Sequence, residues 1–238
     1  MEPINIIALA ENNWNGPWMN RQQLLSRLGK KFNILYTNGV FSTWDVGNKA
    51  WCAAPVFSQY KLQDSVILHR PGKALLRNGR FEKYDNFVLN LEIRNWKRRV
   101  GFDYSHSITY AFGPNYKKYV EIIGARFLVY HVYDFFEKYP FWTKEKDFEH
   151  RWMLNNADLV VASSELLVEH LKKISKRSVK LLENGVDFNA FSLKNYKIPE
   201  DLRNIPSPKI MYVGNINRKV DLALVNNICK FNSHWQWI

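Results

Sequence analysis

Short apolar runs recur along this chain, each too uniformly hydrophobic for a strand with one wet face, and most are separated by stretches with helical periodicity. Residues 4–10 (INIIALA) predict a buried first strand, 18–29 a helix closed by Gly29, and 32–36 a second strand. Further strands are expected at 65–69, 107–111, 126–133, 159–162 and 179–182, with helices at 84–98, 116–123, 144–155 and 164–174. Continuous apolar strands alternating with helices imply a parallel sheet covered on both faces, so the expected fold class is α/β.

The pattern then breaks and restarts. Residues 197–207 carry Pro199, Pro206 and charge but few periodic apolar residues, which reads as a surface linker. Beyond it come an expected strand at 208–213, a glycine-led loop at 214–219, a helix at 220–231 and a strand at 235–238. Two domains are therefore expected, at 1–200 and 201–238, the second incomplete.

Composition narrows the function classes. With 238 residues, 46% of them apolar and 15% aromatic, the chain has ample material for a core and is not a disordered one. Cys52 and Cys229 form no CxxC or Cys/His spacing, so neither a disulfide framework nor a metal site is expected. The apolar segment at the N-terminus is too short for a signal sequence and lacks a basic flank, and no later run approaches the length of a membrane span. A cytoplasmic protein is expected, peripheral at most to the inner face of a membrane. The net charge of +12 is concentrated in basic clusters at residues 27–31, 94–99, 117–118 and 172–177. Such clusters attract anions, whether a leaflet surface or phosphate-bearing substrates, and equally serve as solvated helix faces. No nucleic-acid module is present, and no nucleic-acid partner is expected.

Several residues stand where chemistry could occur. The loop at 12–18 joins the first strand to the first helix, and Gly16 in it permits close approach of a ligand. Its single glycine is no dinucleotide fingerprint, so NAD is disfavoured and no cofactor is expected. Arg21 on the first turn of the helix is a candidate for phosphate or acceptor contact, with a solvated surface arginine as the alternative. His131 and Asp134 lie at the carboxyl end of the strand at 126–133, where an imidazole and a carboxylate can position hydroxyls or handle a proton. Ser163 or Ser164 can cap the helix that follows the strand at 159–162, and an ordinary strand-to-helix turn explains both equally. Asn184 and Gly185 tolerate positive φ and are expected to reverse the chain, while Asp187 can fix the loop. Arg218 and Lys219 follow Gly214 just before a helix, and two cations there oppose its dipole, which suggests an anionic ligand or simply solvated charge.

The run Asn184-Gly185-Val186-Asp187 with Phe188 and Phe191 is preceded by 158–171 (DLVVASSELLVEHL) and followed by 209–214 (KIMYVG). This ordered set resembles nucleotide-sugar-dependent glycosyltransferases of the GT-B fold, in the large retaining family that includes teichuronic-acid-type enzymes; it extends from about residue 127 to residue 224. The resemblance implies a Rossmann-like first domain, the start of a second Rossmann-like domain, and a nucleotide-sugar donor as co-substrate without an obligatory metal. A glycan or lipid-linked acceptor, reached at an anionic membrane surface, is implied with it. It assigns catalysis or sugar contact to His131 and Asp134, and substrate binding to Gly16, Arg21, Ser163, Asn184, Gly185 and Asp187. Gly214, Arg218 and Lys219 would hold the nucleotide diphosphate. The first loop has one glycine where relatives have a pair, His131 stands where close relatives often carry Asp, and Val220 follows Lys219. The family's glutamate-rich donor motif would fall beyond residue 238, so the chain is expected to be inactive alone. A nucleotide-sugar epimerase of the same architecture and a non-enzymatic polyanion-binding protein are the alternatives.

Overall fold

The computed structural model describes residues 4–192, 197–214, 216 and 220–238. The chain divides between Gly185 and Val186 into two compact units.

The first unit is built around an eight-stranded sheet. Its elements in order are β1 (Asn5–Leu9), α1 (Asn20–Leu28), β2 (Asn33–Thr37), β3 (Gln59–Gln63), β4 (Val66–Arg70) and α2 (Glu82–Val100). They continue with β5 (Ser107–Ala111), α3 (Lys117–Ile123), β6 (Phe127–Val132), α4 (Lys144–Asn156), β7 (Leu159–Ala162), α5 (Glu165–Ile174) and β8 (Val179–Leu181). The expected apolar runs all form strands, and the helices stop where the sequence supplies a stop. Gly101 and Gly124 take φ of 72° and 57° after α2 and α3, conformations that cost a residue with a Cβ about 1–2 kcal/mol. Thr143 and Ser164 begin α4 and α5 by accepting from the Lys146 and Leu167 N–H groups.

The strand order is β8-β7-β6-β5-β1-β2-β4-β3. All neighbours are parallel except β3, which runs antiparallel to β4. The expected parallel sheet is thus present with one antiparallel edge strand that was not expected. Strand β3 (QYKLQ) has no fully buried residue, so it carries no apolar run to betray it, and it meets β4 through a tight turn with Asp64 and Ser65 at positive φ. A two-residue parallel pair, Phe41–Ser42 with Leu76–Arg77, was likewise not expected.

From β1 the chain winds outward through β2 on one side and, later, from β5 to β8 on the other. Right-handed crossovers in opposite directions place their helices on opposite faces. Leu25 of α1 accordingly packs in one apolar cluster with Ile6, Ala8, Ile34 and Tyr36. Leu89 and Trp96 of α2, Tyr119 of α3, Met153 of α4 and Leu167 of α5 pack with Ile7, Leu9, Leu35 and Val160 in the other. Helix charge follows the dipole as well. Glu82 and Asp85 sit in the first turn of α2 and Lys97, Arg98 and Arg99 in its last, which gives that basic cluster a structural explanation.

The second unit holds one βαβ element: β9 (Lys209–Ile210), α6 (Leu222–Phe231) and β10 (Gln236–Trp237), with Lys209 opposite Gln236 and Ile210 opposite Trp237. Its strands are shorter than the sequence suggests, and a short helix, Glu200–Arg203, forms within the expected linker. None of the described residues of this unit is fully buried. Among the described residues no helix is long and apolar enough to cross a membrane.

Trp96 is completely buried, its ring centroid 5.5 Å from His69 and 6.1 Å from Tyr119. Trp96→Ala is expected to destabilise the chain by about 3–5 kcal/mol in denaturant titration. Leu62→Ala, on the exposed side of β3, is expected to stay within about 0.5 kcal/mol of the parent. Equal effects would contradict this placement of the core.

Candidate functional site

Strand order reverses between β1 and β5, and in an open α/β sheet the crevice outside the carboxyl ends of two such strands is where ligands bind. The loop leaving β1 is fixed there by its own residues. Trp14 is buried against Tyr36, ring centroids 5.0 Å apart, and its indole N–H donates to Asp64 Oδ2 at 3.0 Å. The Tyr36 hydroxyl donates to the Asn12 carbonyl at 2.5 Å, and the Gln22 carboxamide reaches the carbonyls of Asn13, Trp14 and Pro17, each at 3.4 Å. Gly16 closes a turn onto Asn13, where a Cβ would lie 3.2 Å from the Asn13 oxygen.

Arg21 is not a solvated surface arginine. It is 1% exposed, donates from Nη1 to Asn12 Oδ1 at 3.2 Å, and lays its guanidinium 4.2 Å from the Tyr133 ring centroid and 5.8 Å from that of Phe112. Its Nε is buried with no hydrogen-bond partner, and no carboxylate among the described residues lies within ion-pair distance. Aromatic faces attract the cation but replace its lost hydration only in part, so the site is one that an anion would complete.

His131 stands beside it, on the same sheet face. It is 3% exposed, and its Nδ1 shares a hydrogen bond with the Tyr110 hydroxyl at 3.1 Å, while Nε2 is buried without a partner. Burial, and then the Arg21 charge, bring its pKa down from an ordinary 6.5 to about 4. At neutral pH it is an uncharged imidazole, able to offer or accept one hydrogen bond at Nε2.

Glu11, immediately after β1, was not singled out in the sequence. Its carboxylate stands at the same strand ends, since a Cβ on Gly113 beyond β5 would lie 3.3 Å from Glu11 Oε1. The available signal was its position as the first charge after the apolar run.

Arg21 and His131 thus both meet the Phe112 ring, and Arg21 hydrogen-bonds Asn12 of the loop that carries Gly16. Ser163 and Asp134 have bonded roles at the neighbouring strand ends. Ser163 donates to the carbonyl of Tyr133, and Ser164 is the residue that caps α5. Asp134 accepts from the Phe135 N–H at 2.8 Å and the Tyr139 hydroxyl at 2.9 Å, which fixes the turn after β6. Asn184 and Gly185 are exposed beyond β8, at the far edge of the sheet. The expected positive φ is corrected: neither residue adopts it, because the chain leaves β8 as an irregular segment without a reverse turn. In the second unit, Asp187 caps the short helix Phe188–Phe191 by accepting from the Ala190 N–H, and Gly214 is exposed. Arg218 and Lys219 lie outside the described residues.

Among the described residues no group of three or more His, Cys, Asp or Glu is placed to hold a metal ion. Compared with known proteins, the chain matches no family model and no curated protein.

The lowered pKa of His131 has a definite linkage. Above about pH 6.5 the imidazole is neutral folded and unfolded and contributes no pH dependence. Between about 6.5 and about 4 only the unfolded chain takes up the proton, so the folded state loses stability as pH falls, and below about 4 the loss levels off. The difference in unfolding free energy between the parent and His131→Gln is expected to change by about 3 kcal/mol across this window and to be flat above it. A parallel pH dependence for the two proteins would contradict the buried neutral imidazole.

Proposed function

We propose that this chain is the acceptor-side part of a glycosyltransferase of GT-B organisation, transferring a sugar from a nucleotide-diphosphate donor to a glycan or lipid-linked acceptor. The observation that carries the reading is the buried Arg21, with no carboxylate of the described residues within ion-pair distance, beside the uncharged His131 at the reversal of strand order. A cation half solvated by aromatic rings suits a phosphate or diphosphate, and a neutral imidazole next to it suits a sugar hydroxyl. The second unit adds two short parallel strands joined through a helix, in keeping with the opening of a donor domain.

In this reading catalysis rests on positioning and on charge placed in advance. Arg21 holds the acceptor's phosphate, His131 orients a hydroxyl through Nε2, and Glu11 supplies an acceptor for another. Asp134 and Ser163 shape the lip through their own hydrogen bonds, and Arg218 and Lys219 are assigned to the departing diphosphate. The exposed Phe81 and Phe87 near Arg80 and Lys83 supply the mixture of aromatic and basic groups that rests on an anionic membrane surface.

The test uses a short-chain polyprenyl diphosphate sugar titrated calorimetrically into the 238-residue chain. Arg21→Met, which keeps the stem and removes the charge, is expected to weaken binding by about tenfold or more. Arg94→Met, on the exposed side of α2, is expected to leave it nearly unchanged. Equal losses would reduce the interaction to bulk charge and contradict the reading. A free nucleotide sugar returned changed without any acceptor would indicate an epimerase instead.

A further inference from the structure

A second concentration of polar groups lies on the other face of the sheet, under α2. Thr37 and His69, from the ends of β2 and β4, are fully or almost fully buried, as is Glu92 of α2. The Gly39 N–H donates to Thr37 Oγ1 at 2.9 Å, Thr37 Oγ1 bonds His69 Nδ1 at 2.7 Å, and His69 Nε2 bonds Glu92 Oε1 at 2.7 Å. The carboxylate can only accept, so His69 Nε2 donates to it, while the Thr37 hydroxyl, which can donate or accept, meets Nδ1. Burial alone would raise the Glu92 pKa, but the His69 bond and charge, with Ser58 and Asn95, bring it below the ordinary value. A buried anionic carboxylate is thereby held in place.

Its other oxygen faces a different environment. Glu92 Oε2 takes a long contact, 3.4 Å, from the Asn95 carboxamide. Glu92, Asn95 and Arg99 recur at three- and four-residue intervals on α2, and with Tyr60 and Ser58 they wall a cavity of about 230 Å³. The Tyr60 hydroxyl is buried and has no hydrogen-bond partner, although burial and the nearby Glu92 keep it protonated and therefore a donor. Phe57 and Leu75 give the remaining wall an apolar surface.

These features define a ligand. The volume is below the roughly 300–1,000 Å³ of sites that take drug-sized molecules, and it suits a single sugar ring. Glu92 opposes a bound anion and Arg99 a bound cation, whereas several donors and acceptors beside an apolar wall match hydroxyls arranged around a C–H skeleton. We propose that the cavity between α2 and β3 is a binding site for one neutral, pyranose-sized polyol, with Glu92 accepting from its hydroxyls and Tyr60, Asn95 and Arg99 donating to them. The site is on the opposite sheet face from Arg21 and does not depend on the glycosyl-transfer reading.

The test is saturation-transfer NMR on the full 238-residue chain with the methyl glycosides of glucose, galactose and mannose and with N-acetylglucosamine, alongside inorganic phosphate and β-alanine as charged probes. At least one neutral sugar is expected to bind saturably. Tyr60→Phe, which keeps the ring and removes only the unpartnered hydroxyl, is expected to weaken it about tenfold without lowering the unfolding temperature. Glu92→Gln is expected to weaken it as well, and Arg21→Met to leave it unchanged. Saturable binding by none of the four sugars, undiminished binding in Tyr60→Phe, or binding of phosphate or β-alanine in their place would overturn the proposal.

Discussion

Everything in the first unit hangs on β1. It is the strand from which the sheet grows in both directions, paired residue for residue with β2 on one side and β5 on the other, and Ile6 to Leu9 are almost wholly removed from water. Burial on both faces demands an uninterrupted apolar strand, and that demand ends abruptly at Glu11. Past that point the chain must turn outward, and β1 and β5 send their helices, α1 and α3, to opposite faces. A crevice at the carboxyl end of β1 follows from the winding alone.

What fills that crevice is costly to the fold. A guanidinium with no ion-pair partner among the described residues and an imidazole without a partner at Nε2 both lie where an apolar side chain would pack at less expense. The two also act on each other, since the Arg21 charge adds to burial in keeping His131 unprotonated. Tyr133 joins the pieces: its ring receives the Arg21 cation, and its carbonyl receives Ser163 from the next strand. Polar groups arranged at such cost are more readily explained by a ligand than by stability.

The sequence disclosed the repeating architecture because buried parallel strands must be continuous apolar runs, and the first helix stops visibly at Gly29. It hid β3 because an edge strand with one wet face and polar residues has no comparable run. His131 was legible as a strand-end residue and Gly16 as the glycine of the first loop. The burial of Arg21 was not, because the rings that cover it, Phe112 and Tyr133, are some ninety to a hundred and ten residues away. The chain of Thr37, His69 and Glu92 was hidden for the same reason: three ordinary polar residues become one network only after three separate elements are brought together. At Asn184 and Gly185 the local preference for positive φ was real but unused, since no turn is made there.

The central claim is that Arg21 and His131 form a single binding site for a phosphorylated sugar, and side-chain nitrogen NMR tests it most directly. Titration with a short-chain polyprenyl diphosphate sugar should move the Arg21 Nε–H resonance and the His131 Nε2 resonance together, with one dissociation constant and with His131 still neutral at pH 7. Shifts confined to exposed lysines and arginines, with both of these resonances unmoved at saturation, would contradict it.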